Sequence, residues 1–212
     1  MEFLSRLNPE LLKLRESAKQ GRDPTCADET LEYILTLCEE KNPKRILEIG
    51  CAEGLTSCAM LSVTNATLTA IELDAGRAAT ARKHFSEFGF SDRVTFHEGS
   101  AGEILPMLEG AYDLIFLDGP KVQYLSYLPD CKRLLNTGGV LLSDDVLLFG
   151  WVRGEPPKKR RMLVEHIREY LRALEEDEEL KTQILELGEG LAVSEKVHGN
   201  CCSNKSPFSK YR

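Results

Sequence analysis

The chain has no run of about 18 consecutive apolar residues, so no segment is expected to span a bilayer. Residues Met1 to Arg6 lack the basic n-region and apolar h-region of a secretory signal. The seven cysteines are odd in number and irregular in spacing, and Cys201-Cys202 has no second pair at zinc-like spacing. Neither a disulfide framework nor a zinc cluster is expected, which fits a reduced, cytoplasmic protein. Cys51 and Cys58 lie in or beside apolar segments, where a thiol behaves as a small buried hydrophobe. Bases are also scarce: 27 Lys and Arg against 34 Asp and Glu leave a net charge of -7. That balance argues against a generally basic surface for nucleic acid or anionic membrane. No internal repeat or interdomain linker interrupts the chain. Its composition, 42% hydrophobic and 29% charged, excludes an intrinsically disordered chain. The length fits one domain, taken as residues 1–196.

Short apolar runs alternate with longer amphipathic stretches. Strands are expected at Arg45–Ile49, Thr67–Glu72, Arg93–His97, Tyr112–Leu117 and Gly139–Ser143. Helices are expected between them at Leu55–Val63, Ala75–Phe88, Ala101–Leu108 and Gln123–Leu135. This rhythm indicates a Rossmann-like α/β fold, a mostly parallel sheet with helices on both faces. Two helices precede it within residues 1–40, one over Pro9–Lys19 and one capped by Asp28. A helix follows from about Pro157 to Leu174. The runs Thr182–Leu187 and Leu191–Ser194, split by Gly188-Glu189-Gly190, read as an antiparallel hairpin that brings the sheet to seven strands. Beyond Lys196 the chain is poor in apolar residues, and 197–212 reads as a disordered tail.

The first strand ends in Glu48-Ile49-Gly50-Cys51-Ala52-Glu53-Gly54. Gly50 permits a tight turn, and Gly54 permits close approach by a ligand or by a helix. The second strand ends at Glu72, where a carboxylate in a doubly wound fold meets ribose hydroxyls. A dinucleotide fingerprint would need glycine at 52 and 55, where Ala52 and Leu55 stand, and Glu48 would repel phosphate. An acid before the loop suits a cofactor with an amine and a sulfonium, S-adenosylmethionine. The alternative is a helix-packing glycine turn without a ligand.

The fourth and fifth strands end in Asp118 and in Asp144-Asp145. Neighbouring strands would make these three carboxylates converge and repel unless a cation sits among them. Oxygen-only ligands favour Mg²⁺ or Mn²⁺; the alternative is acids that cap turns. Lys121, three residues past Asp118, is placed to act as a general base or to hold an oxyanion. An exposed lysine at a helix start is the plainer reading.

Together these motifs resemble the metal-dependent class I O-methyltransferases related to catechol O-methyltransferase. The likeness covers about Pro24 to Lys196 and rests on the glycine loop, Glu72, Glu98-Gly99-Ser100-Ala101, Asp118-x-x-Lys121-x-x-Tyr124 and Asp144-Asp145-Val146-Leu147. It implies that Glu48, Gly50, Gly54, Ser57, Glu72, Gly99, Ser100, Ala101 and Asp118 bind S-adenosylmethionine. It implies a metal on Asp118, Asp144 and Asp145, catalysis by Lys121 with Asp118, and a homodimer. The loop Asp144–Val152 and the ending Gly188–Lys196 are most similar to the bacterial branch that methylates 5-hydroxyuridine at the tRNA wobble position. That family usually has Asn where Asp145 stands.

A catechol and a 5-hydroxyuracil both present vicinal oxygens, so the metal site does not separate them. The stretch Arg153–Arg161 carries five bases, Arg153, Lys158, Lys159, Arg160 and Arg161, against one acid. Such a run suits RNA phosphates; a solvated helix start is the alternative. Phe149 and Trp151 are candidates to stack on a splayed anticodon base, with core packing as the alternative, and Tyr124 joins the substrate set. The expected acceptor is the tRNA anticodon region. The competing readings are a small catechol-like substrate and a non-catalytic module that binds S-adenosylmethionine or RNA.

Overall fold

Four largely buried runs become parallel strands covered on both faces, and a fifth, half-exposed run pairs along their edge. The computed structural model describes residues 4–21 and 25–198. Its strands are β1 (Arg45–Ile49), β2 (Thr67–Glu72), β3 (Val94–Glu98), β4 (Tyr112–Leu117), β5 (Leu135–Ser143), β6 (Leu180–Leu185) and β7 (Leu191–Lys196). They form one sheet in the order β3-β2-β1-β4-β5-β7-β6. β1 to β5 run parallel, and β7 pairs antiparallel with both β5 and β6. The helices are α1 (Pro9–Gly21), α2 (Asp28–Lys41), α3 (Leu55–Val63), α4 (Ala75–Glu87), α5 (Ala101–Ile104), α6 (Tyr124–Leu134) and α7 (Arg161–Glu176).

The period of two along each strand sorts its side chains into two cores. Ile46, Leu68, Leu114, Phe116 and Leu142 meet Leu31, Ile34, Cys58 and Phe85 on one face. Leu47, Ile49, Ile115, Leu117 and Leu141 meet Tyr124, Leu128, Val164, Ile167 and Tyr170 on the other. Cys51 and Cys58 are buried free thiols, as their apolar settings required.

Several boundaries differ from the sequence expectation for local reasons. The expected helix over Ala101–Leu108 stops at Ile104 and continues as a 3-10 turn over Leu105–Met107, where Pro106 has no N–H to donate. Asp28 is the first residue of α2 rather than its cap, and its carboxylate is taken by Lys19 and Arg15. The expected two- or three-residue hairpin turn has five residues, because pairing ends at Leu185 opposite Leu191. Asp113 accepts from the backbone N–H groups of Lys44 and Arg45 and from Asn136. Of the expected tail, Val197 still donates to Glu179 O at 2.8 Å; residues 199–212, with Cys201 and Cys202, lie outside the described residues. Among the described residues no helix is long and apolar enough to cross a membrane.

Candidate functional site

Register places the chemistry. Ile49 lies opposite both Ile71 and Leu117, and Leu117 opposite Ser143. The next residue on each strand, Gly50, Glu72, Asp118 and Asp144, therefore lies in one row at the carboxyl edge. Strand order reverses between β1 and β4, the place where open α/β sheets bind ligands.

The glycine loop is shaped by chain packing. Gly50 has φ 86°, and a Cβ there would lie 2.6 Å from Asp118 O. A Cβ on Gly54 would lie 2.9 Å from the Phe85 ring, so Gly54 permits close approach by α4. Ala52, at the position where a dinucleotide fingerprint has glycine, still adopts φ 48°. Its N–H donates to Glu72 Oε2 at 2.8 Å, and Asp74 N–H donates to Glu72 Oε1 at 2.9 Å. These two bonds fix the carboxylate at the tip of β2. His84 Nδ1 lies 2.8 Å from Glu53 O and ties the loop to α4. Glu48 is buried and accepts from Ser57 Oγ on α3. Burial pushes its carboxyl up to about 8, against Ser57 and with the charges of Asp118 and Glu72. Gly99 (φ 146°) donates to Glu72 O at 2.8 Å and leads into Ser100 and Ala101 at the start of α5. The row of acids suits a cationic, ribose-bearing ligand and would repel a pyrophosphate.

The cluster expected on β4 and β5 assembles around a side chain. Lys121 Nζ donates to Asp118 Oδ1 at 2.8 Å, pairs with Asp145 Oδ2 at 3.2 Å and donates to Tyr124 OH at 3.0 Å. Burial disfavours the lysine's charge, yet Asp118, Tyr124 and Asp145 raise its pKa well above the ordinary value. Lys121 is thus a part-buried, ion-paired lysine rather than an exposed one at a helix start. It also supplies the cation that carboxylate repulsion demanded, so repulsion alone does not require a metal. Among the described residues no group of three His, Cys, Asp or Glu is arranged as a metal cluster. Asp144 departs from its neighbours: it is buried, and Oδ1 has no hydrogen-bond partner. Burial, then Asp118 and Asp145, push it up to about 8. The orphaned, buried oxygen of Asp144 is of the kind a hard divalent cation takes, although the described carboxylates are not gathered into a ready metal group.

Two of the expected substrate residues are engaged elsewhere. Tyr124 is fully buried, with its hydroxyl 2.9 Å from Leu117 O and 3.2 Å from Asp144 O, so it orients Lys121 instead of meeting substrate. Arg153 pairs with Glu186. Lys158, Lys159, Arg160 and Arg161 are exposed, across a 3-10 turn and the first residue of α7. Trp151 is half-buried against Phe149.

Sequence reasoning missed Cys26. Its Sγ lies 3.4 Å from Thr56 Oγ1, and burial raises its thiol to about 12, opposed by Arg15 and assisted by Asp144. The segment is held by the buried Arg15, which donates to Thr25 Oγ1 (2.8 Å) and Cys26 O (3.0 Å). Nothing in the local pattern around Arg15 distinguishes it from a solvated helix base.

Comparison with known proteins fits this geometry. A family model for O-methyltransferases matches residues 4–197. The chain belongs to the O-methyltransferase family. It is an S-adenosylmethionine-dependent O-methyltransferase. A Mycobacterium bovis protein named as an O-methyltransferase is 32% identical over 165 residues, 76% of this chain and 73% of its own. A catechol O-methyltransferase of Niastella koreensis is 34% identical over 131 residues, 59% of this chain and 58% of that one. The S-adenosylhomocysteine-bound methyltransferase PaMTH1 of Podospora anserina superposes with a TM-score of 0.82 at 26% identity, covering 91% of this chain and 89% of that one.

Proposed function

We propose that this O-methyltransferase methylates a hydroxyl on a planar ring bearing two adjacent oxygens, with a divalent cation, and that the acceptor is 5-hydroxyuridine at the tRNA wobble position. The observation that carries the reaction is Lys121, a part-buried lysine ion-paired to Asp118 and Asp145 with the orphaned Asp144 Oδ1 nearby. Asp118, Asp144 and Asp145 would hold the metal, whose chemistry when bound is to lower the pKa of a coordinated hydroxyl. Held as an ammonium, Lys121 steadies the oxyanion rather than abstracting its proton. Tyr124 keeps Nζ in place. Glu72 and Glu48 suit the ribose hydroxyls and the amine of S-adenosylmethionine. The acceptor hydroxyl gives up its proton to solvent; its oxygen bonds to the methyl carbon as the carbon–sulfur bond breaks, that bond's electron pair remaining on sulfur, and the residues here position the two reactants.

Four exposed bases, Lys158, Lys159, Arg160 and Arg161, support RNA, as does the likeness of the loop Asp144–Val152 to the wobble-uridine branch. The small-molecule reading rests on the Niastella relative, whose name gives catechol as its substrate class. The test is incubation with labelled S-adenosylmethionine, Mg²⁺ or Mn²⁺, and undermethylated bacterial tRNA beside a catechol panel. Label in tRNA alone upholds the wobble reading; label only in catechols refutes it.

A further inference from the structure

Backbone strain is concentrated in the loop after β5. Of the five non-glycine residues with positive φ among the described residues, three are Asp145 (56°), Leu148 (48°) and Phe149 (58°), and Gly150 continues the run at 77°. L-residues rarely adopt this region, and they do so where surrounding bonds over-determine the chain.

Those bonds come from two separate elements. From the β6–β7 turn, Glu189 O accepts Leu147 N–H at 2.8 Å, Gly190 O accepts Val146 N–H at 2.9 Å, and the Glu189 carboxylate accepts the N–H of Phe149 itself. From α7, Arg168 donates Nε to Val152 O at 3.0 Å and Nη2 to Gly154 O at 2.9 Å and Trp151 O at 3.4 Å. Bonds to a carboxylate or a guanidinium are the stronger, charge-assisted kind.

The outcome of the constraint is an exposed ring. Leu148 turns inward, while Phe149 remains 67% exposed with its centroid 5.1 Å from that of Trp151. The loop starts directly after the Asp144–Asp145 pair. A strained backbone that holds an exposed ring, paired with a half-buried one, in the loop that begins after two site acids is arranged for a ligand.

We infer that Glu189 and Arg168 are positioning residues that hold Phe149 and Trp151 as a stacking platform for the planar ring of the methyl acceptor. The inference rests on the reading under Proposed function. Stacking depends on the π-face, so the platform takes a nucleobase or a catechol, and the two acceptor arms of the test separate them.

Trp151 is the only tryptophan in the chain, so its emission reports this loop alone. The test uses the full chain loaded with S-adenosylhomocysteine, as wild type and as Glu189→Ala, Glu189→Gln, Arg168→Ala and Phe149→Ala. Acrylamide quenching of Trp151 should rise in Glu189→Ala and Arg168→Ala, and Glu189→Gln should restore it. In turnover with S-adenosylmethionine, both alanine variants should raise the acceptor KM about tenfold, the loss expected for one aromatic stack. Their kcat and cofactor affinity should stay near wild type. Phe149→Ala removes an exposed ring, spares the core and should show the same rise. Unchanged quenching in Glu189→Ala and Arg168→Ala, or an unchanged KM in Phe149→Ala, overturns the inference. A wild type inert toward both tRNA and catechols refutes the underlying reaction instead; the Trp151 comparison needs no acceptor and is read separately.

Discussion

Replacing Glu48 by Gln should stabilise the protein at neutral and alkaline pH. Glu48 lies on β1 with 1% of its surface exposed, and burial has pushed its carboxyl from the ordinary 4.5 to about 8. Folding at pH 7 must therefore draw a proton from water. With about 1.4 kcal/mol for each tenfold change in acidity, that costs about 3 kcal/mol at pH 7 and about 4 to 5 kcal/mol above pH 8. The sign follows from the direction of the shift. A raised carboxyl contributes stability that is complete below about pH 4.5 and fades as the pH rises through about 8. Glutamine keeps an acceptor for Ser57 Oγ and never ionises. Denaturant unfolding of the ligand-free protein from pH 5 to 9 should show the wild type falling behind Glu48→Gln, with the gap smallest at pH 5. Asp144 and Asp118 are present in both proteins, so their own titrations largely cancel in the difference. Parallel stability curves for the two proteins would refute the burial argument. Binding supplies a second check: a cationic amine beside Glu48 favours the carboxylate, so the wild type should release protons on taking up S-adenosylmethionine. Calorimetry in two buffers of different ionisation enthalpy should detect this release, and Glu48→Gln should lack it.

Gly50→Ala combines a positive φ with a Cβ 2.6 Å from Asp118 O, and should cost about 2 to 4 kcal/mol in denaturant unfolding. A loss under 1 kcal/mol would mean that the β4 end moves freely. Asp118→Ala should keep the far-UV spectrum and lose metal-stimulated methyl transfer by at least about a hundredfold; wild-type turnover that persists in EDTA would sink the metal proposal. Reversing Lys159, Arg160 and Arg161 to Glu should weaken tRNA binding and reduce the slope of log affinity against log salt by about one per lost phosphate contact. An unchanged slope would favour the small-molecule acceptor.

Much of the scaffold was legible because it depends on local periodicity. The apolar runs at Ile46–Ile49, Leu114–Leu117 and Val140–Leu142 can only be strands covered on both faces, and the acids that end them must reach the carboxyl edge. Glu48, Gly50, Glu72, Asp118, Asp144 and Asp145 were therefore placed at or beside that edge from spacing alone. Element ends were less legible, because Pro106 and the five-residue β6–β7 turn act through hydrogen bonds that composition does not display.

The sequence by itself determined the α/β class, the row of acids and the burial of Cys51 and Cys58, since each follows from neighbours along the chain. The tertiary structure decided what the charged groups do, because their partners are distant in sequence. Lys121 and Tyr124 share a short motif, yet only folding shows the lysine ion-paired to Asp118 and Asp145 and the tyrosine buried against it. Arg153 belonged to a basic run until Glu186, 33 residues away, claimed it. Glu189 is an ordinary turn acid in the sequence and becomes the acceptor for the N–H of Phe149, 40 residues earlier. The energy of a charge is set by burial and by what faces it, and neither quantity exists until the chain has folded.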